Sequence, residues 1–235
     1  MADASRRFLA FDGRDGGRAV EVFGDLATAD TIAVLVPGSD TNLDKYGLLR
    51  GGSMRLREAL GDRAAVIAWL GYRTPSTVSL AAMSAGWADG AVSGLRGFVR
   101  ELVAAKPAAG ISLLCHSYGS VVCARAASGL DVGNIVLYGS PGVIAPNVAA
   151  LRTRATVWAG RGAKDWVARI PSVRLRLPFL TAGFGTDPVS LQFGAHVFAA
   201  GGGGHSDYLR SGSPALENIA RIVAGQAVGE VGRNA

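Results

Sequence analysis

Five short runs of near-continuous apolar β-formers set the folding problem for this chain: residues 32–36, 64–69, 111–114, 135–138 and 155–158. A strand with almost no polar alternation has no face to give to water. It must be covered on both sides, as in a parallel sheet between two layers of helix. The gaps between the runs carry helical patterns. Trp87, Ala91, Leu95, Phe98 and Leu102 form one stripe down a helix. A shorter helix is expected from Ser53 toward Leu60, and another from Tyr118 to about Ala127. Near the end of the chain, Ser213 reads as an N-cap and Pro214 as a first-turn proline, with Leu216, Ile219 and Ile222 on the buried side. At the start, residues 8–11 and 19–23 flank a glycine-rich turn at 13–17 and read as an antiparallel hairpin. The last strand is expected around His196. The sum is an α/β fold: a mostly parallel sheet, an antiparallel N-terminal hairpin and helices on both faces. With 235 residues, 49% of them hydrophobic, the chain can bury one large core. We expect one domain over 1–225 and a loose tail over 226–235.

Composition excludes several function classes. Lys and Arg number 24 against 18 Asp and Glu, a net charge of +6. The cations are scattered, however. The densest group, Arg169, Arg174 and Arg176, has no zinc finger, aromatic RNA-binding strand or basic helix beside it, so no nucleic-acid partner is expected. No apolar stretch approaches the roughly 18 residues a membrane span needs. The first residues hold no apolar core of a secretory signal. Cys115 and Cys123 match neither a disulfide framework nor a metal-ligand spacing, and the three histidines sit in unlike contexts, so no metal is expected. The glycine run 201–204 lacks the Lys-Ser/Thr of a phosphate loop, and no dinucleotide fingerprint occurs, so no cofactor is expected. Two unpaired cysteines point to a reduced, cytoplasmic protein. Both are expected as free thiols, because a helix rising ~1.5 Å per residue would carry Cys123 past the ~7 Å reach of a bridge.

One segment carries chemistry. Residues 111–122 read as a buried strand, a turn Cys115-His116-Ser117-Tyr118-Gly119, and a helix. A serine on so sharp a strand-to-helix turn is a nucleophile elbow, which needs small residues two before and two after the serine. Gly119 meets that need, and Cys115 stands where the usual pattern has glycine. Serine needs a base, and the base needs a carboxylate to orient it. His205 is the base by elimination. His116 adjoins the serine and is expected to point away and pack beside the turn, and His196 lies inside the last apolar run. Asp165 is the acid, since it follows the strand at 155–158 and falls between Ser117 and His205 in chain order. Asp131 and Asp187 precede strands and are expected at the opposite sheet edge; Asp207 is expected to cap the following helix. The oxyanion donors are expected to be the backbone N–H groups of Tyr118 and of Ser39, with Asp40 the next candidate. Gly38 lets their loop approach the serine.

The motifs Pro37-Gly38-x-x-Thr41-Asn42, Trp69-Leu70-Gly71-Tyr72, His116-Ser117-Tyr118-Gly119-Ser120 and His205-Ser206-Asp207-Tyr208-Leu209 together resemble an actinobacterial α/β-hydrolase domain family of unknown function. They fall in the family's order from about residue 37 to 209, with Cys115 departing from the family's glycine. The resemblance implies the α/β-hydrolase fold and a serine triad, and names no substrate. The residues thus point to a serine hydrolase of small acyl substrates, most simply carboxylic esters. The alternatives are a binding protein that has kept the fold without its chemistry, and an acyltransferase or perhydrolase on the same triad. The stretch 139–154 is too short for a large helical cap, which leaves a minimal one. The longer stretch 160–193 is a candidate pocket wall.

Overall fold

The computed structural model describes residues 6–76, 86–170, 175–177, 180–182 and 185–228. The first five residues, Arg174, and the expected tail beyond 228 lie outside the described residues.

The hairpin forms as expected, with β1 (Arg7–Asp12) antiparallel to β2 (Arg18–Phe23). The apolar runs follow as β3 (Thr31–Val36), β4 (Ala64–Leu70), β5 (Gly110–His116), β6 (Asn134–Tyr138) and β7 (Thr156–Gly160). A two-residue strand, β10 (His196–Val197), closes the edge, and a small separate hairpin, β8 (Leu175–Leu177) with β9 (Leu180–Ala182), lies in between. The eight-stranded sheet runs in the order β1-β2-β4-β3-β5-β6-β7-β10. Every pairing from β4 to β10 is parallel, and β2 meets β4 antiparallel.

Among the described residues, four helices cover the two faces: α1 (Tyr46–Leu60), α2 (Gly86–Ala105), α3 (Gly119–Ala126) and α4 (Pro214–Val223). Strand side chains alternate between faces. Ile32, Val34, Val36, Leu113 and Cys115 therefore pack with Leu95 and Val99 of α2 and Val122 of α3. Ala33, Leu35, Leu114 and Val136 face Leu56 of α1 and Leu216, Ile219 and Ile222 of α4. Each such buried branched side chain contributes about 1.5–3 kcal/mol of hydrophobic stabilisation. Ser213 caps α4 as expected, its hydroxyl accepting from Leu216 N–H at 3.1 Å.

Three local expectations need correction. Helix α1 begins at Tyr46, seven residues earlier than Ser53; it has no side-chain N-cap, and Gly47, Gly51 and Gly52 blur its apolar stripe. The last strand shrinks to two residues, while His196, which the sequence leaves as a core or sheet-surface residue, lies exposed on the sheet surface beside Trp158. The cysteines are not free: Cys115 and Cys123 are joined by a disulfide, with Cα atoms 6.4 Å apart. Counting rise along a helix measures path, not separation. The elbow turns α3 back across β5, so its second turn lies over the last inward-facing residue of the strand. The argument for a reduced compartment falls with that correction. Among the described residues, no helix is long and apolar enough to cross a membrane.

Candidate active site

Strand order explains where the site is. From β3 the chain passes to β4 on one side, then crosses back to β5 on the other. The carboxyl ends of β3 and β5 therefore flank a topological switch point, where open α/β sheets leave a crevice. Ser117 follows β5 and Ser39 follows β3.

Ser117 sits in the left-handed backbone region, φ +52°, with 6% of its surface exposed. For a residue with a side chain this conformation costs on the order of 1–3 kcal/mol, so its surroundings must enforce it. Its N–H donates to Tyr138 O at 3.0 Å. Its carbonyl accepts from Ser120 N–H at 3.0 Å and from Ser120 Oγ at 2.6 Å. The close approach also dictates two glycines. A Cβ on Gly119 would stand 2.4 Å from Val36 O, and one on Gly38 would stand 2.6 Å from Ser117 Cβ.

From the serine a continuous chain of hydrogen bonds runs inward. Ser117 Oγ lies 2.9 Å from His205 Nε2, and His205 Nδ1 lies 2.9 Å from Asp165 Oδ1 and 3.1 Å from Oδ2. A carboxylate only accepts, so Nδ1 carries the proton and Nε2 is left to accept from the serine. The structure thus brings together the three side chains singled out in the sequence. Asp165 is buried as the N-cap of a short 3-10 turn, where Oδ1 also accepts from Val167 N–H at 2.9 Å. Burial alone would raise its pKa; donation from His205, Tyr208 and Val167 outweighs that, and the carboxyl is held below its ordinary value.

Two residues join this chain without having been assigned to it from sequence. Tyr208 is buried, donates its hydroxyl to Asp165 Oδ2 at 2.5 Å and accepts from Gly162 N–H at 3.0 Å. Its place three residues after His205, in the motif His205-Ser206-Asp207-Tyr208, was the available signal. His116 does pack beside the turn, against the rings of Tyr138, His205 and Tyr208. It also reaches the base, since its Nε2–H donates to the carbonyl of His205 at 2.8 Å. Burial first, and then the neighbouring His205, push the His116 pKa down to about 4, so its ring is neutral.

The remaining candidates fall outside the chain. Asp131 is exposed and pairs with Arg154. Asp187 does not lie at the opposite edge: it sits beside the end of β7, bound to Arg161 Nη1 at 2.6 Å, next to Thr186, which pairs with Val143 beyond the carboxyl end of β6. Asp207 does not cap α4; its Oδ2 accepts from Gly204 N–H at 2.8 Å and closes the turn that carries His205. Asp40 N–H is committed to Pro75 O at 2.8 Å, which removes it as an oxyanion donor. Ser39 lines the site next to Gly38, with its hydroxyl buried and unpartnered among the described residues. Tyr72 OH holds that loop by donating to Pro37 O at 2.6 Å. From 160–193, Trp166 enters the wall of the cavity, its ring 4.8 Å from that of His205.

The family model described as "Alpha/beta hydrolase" matches residues 12–175, a span that holds Ser117 and Asp165 and stops before His205. Among solved structures, a lidless a/b serine hydrolase of Xanthomonas campestris is 17% identical with a TM-score of 0.56, over 94% of this chain and 93% of that one. An alpha-beta serine hydrolase homologue from Coxiella burnetii is 14% identical with a TM-score of 0.56, over 95% and 98%. Esterase PE8 is 15% identical with a TM-score of 0.56, over 88% and 97%. At such identities the likeness is one of fold. No curated protein matches the chain in sequence.

Proposed function

The chain belongs to the alpha/beta hydrolase family, and we propose that it is a serine hydrolase that cleaves carboxylic esters through an acyl-enzyme on Ser117. One observation carries this reading: the unbroken path from Ser117 Oγ through both nitrogens of His205 to the buried carboxylate of Asp165. A lone serine is a poor nucleophile at neutral pH, and this path supplies what it lacks.

The steps follow from where each proton can go. As Oγ attacks the acyl carbonyl, its proton passes to His205 Nε2, and Asp165 stabilises the imidazolium through the Nδ1–H bond. The carbonyl oxygen gains the negative charge, which the N–H groups of Tyr118 and Ser39 stabilise. Collapse of this intermediate breaks the bond to the alcohol, and His205 returns the proton to the departing oxygen. Water repeats the sequence on the acyl-enzyme and frees the acid. Tyr208 acts as a positioning residue, fixing the carboxylate that orients the base.

Steady-state turnover of 4-nitrophenyl esters tests the reading. Ser117→Ala should abolish turnover, and His205→Ala should lower kcat on the order of 10³-fold or more, since the groups act as a unit. Wild-type turnover in a folded Ser117→Ala variant would refute the assignment.

A further inference from the structure

The cavity above Ser117 has a volume of about 770 Å³ and an uneven lining. One wall is a stripe of α1 and its N-cap, Lys45, Leu48, Leu49, Gly52 and Arg55, spaced so that they share one helix face. The facing wall is the loop after β10, which brings His205, Leu209 and Arg210. The walls meet at Gly52, where a Cβ would stand 2.9 Å from Leu209 Cδ1. Part of the lining is apolar: Leu48, 60% exposed, Leu49, Leu209 and the ring of Trp166, 42% exposed. The cations Lys45, Arg55 and Arg210 share that lining with the carboxylates of Asp40 and Asp207.

Several arginines elsewhere in the molecule are tied to carboxylates. Glu21 binds Arg6 and Arg50, Asp30 binds Arg63, Asp131 binds Arg154 and Asp187 binds Arg161. In the cavity wall, neither Lys45 Nζ nor the Arg55 guanidinium has a hydrogen-bond or ion-pair partner among the described residues. Arg55 folds back along its helix, so that a Cβ on Gly51 would lie 3.2 Å from its Nη1. Its charge therefore sits about one turn N-terminal of its Cα, beside Gly51. Arg210 has only Asp207 Oδ1, at 4.0 Å, and the other oxygen of that carboxylate is taken by Gly204 N–H. Asp40, the second carboxylate of the wall, is also engaged.

A cavity that combines an apolar lining with three cations against two carboxylates matches a substrate that joins an apolar body to an anionic group. Resting on the hydrolase reading above, we infer that the preferred substrates are esters bearing an anionic group, a carboxylate or phosphate, a few carbons from the scissile carbonyl, held by Arg55 and Arg210 with Lys45 at the rim. Arginine suits this role because its planar fork meets such oxyanions in pairs of charge-assisted hydrogen bonds.

Matched ester pairs test the inference and separate the two sides of the ester. For the acyl side, 4-nitrophenyl hydrogen glutarate is compared with its methyl ester. For the alcohol side, 3-carboxyphenyl pentanoate is compared with its methyl ester. In at least one pair the anionic member should have a kcat/KM higher by about tenfold, a preference that shrinks at raised salt. The ratio should fall toward one in the Arg55→Gln/Arg210→Gln double variant, chiefly through KM of the anionic ester, while Arg55→Lys should retain most of it. Ratios at or below one in both pairs, or a preference untouched by the double variant, would overturn the inference while leaving the hydrolase reading standing. Failure of the folded wild type to turn over any of the four esters would instead overturn the hydrolase reading, and this inference with it.

Discussion

At Asp165, burial and hydrogen bonding pull in opposite directions, and the balance decides whether His205 has a partner. Three donors converge on the carboxylate, from His205, Tyr208 and Val167, and they hold it ionised against the cost of its burial. Asp165→Asn should leave the fold intact and cut kcat by about 10⁴, because the amide cannot fix the imidazole tautomer that leaves Nε2 unprotonated. Tyr208→Phe removes one donor of the three and should cost much less, about tenfold in kcat with KM unchanged, as steady-state kinetics would show. His116 carries a separate prediction about stability. Its ordinary pKa of 6.5 drops to about 4 in the folded protein, so across that interval the unfolded chain takes up a proton that the folded chain refuses. Its contribution is therefore fully present above pH 6.5 and is lost as pH falls to about 4, some 3 kcal/mol in all. Asp165, whose pKa is also lowered, adds a further loss at more acid pH. Denaturant midpoints between pH 7 and 4 should fall steeply in the wild type and more gently in His116→Gln, which keeps a donor for the His205 carbonyl without titrating. Equal slopes would contradict this account of His116.

The elbow shows what was legible in the sequence and what was not. Small residues between an apolar run and a helix marked Ser117, because the crowding that demands glycine at 119 leaves a local trace. The β-α alternation was legible for the same reason: a strand buried on both faces must be written in continuous apolar residues. The fold of α3 back over β5 leaves no such trace, and so the bond between Cys115 and Cys123 was missed. Asp187 was misplaced likewise, since its position rests on long-range contacts, its own with Arg161 and that of Thr186 with Val143, which periodicity does not record. The disulfide ties the strand before the nucleophile to the helix after it. Thiol titration under denaturing, non-reducing conditions should therefore find no free thiol, and two would contradict the structure. Removing the bridge by Cys115→Ala/Cys123→Ala should lower stability by about 2–3 kcal/mol, the loop-closure scale for so short a loop. In the same element Gly119→Ala should abolish ester turnover, because its methyl would collide with the backbone carbonyls of Val36 and Pro37.

Across the whole molecule, the sheet gathers side chains far apart in the chain at its carboxyl edge. Ser39, Ser117, Asp165 and His205 each follow a strand, β3, β5, β7 and β10 in turn, so the parallel order alone delivers them to one side. The link between β6 and β7 holds only a short 3-10 turn, Val148–Leu151, and the rings of Trp166 and His116 both lie against that of His205. Labelling by a fluorophosphonate tests most directly whether this assembly makes Ser117 a nucleophile, because the reagent reports attack by the serine independently of substrate choice. The account predicts one adduct per chain, mapped by peptide mass spectrometry to Ser117, absent in Ser117→Ala and strongly slowed in His205→Ala. An adduct that persists in Ser117→Ala, or a folded wild-type protein that takes up none, would contradict it.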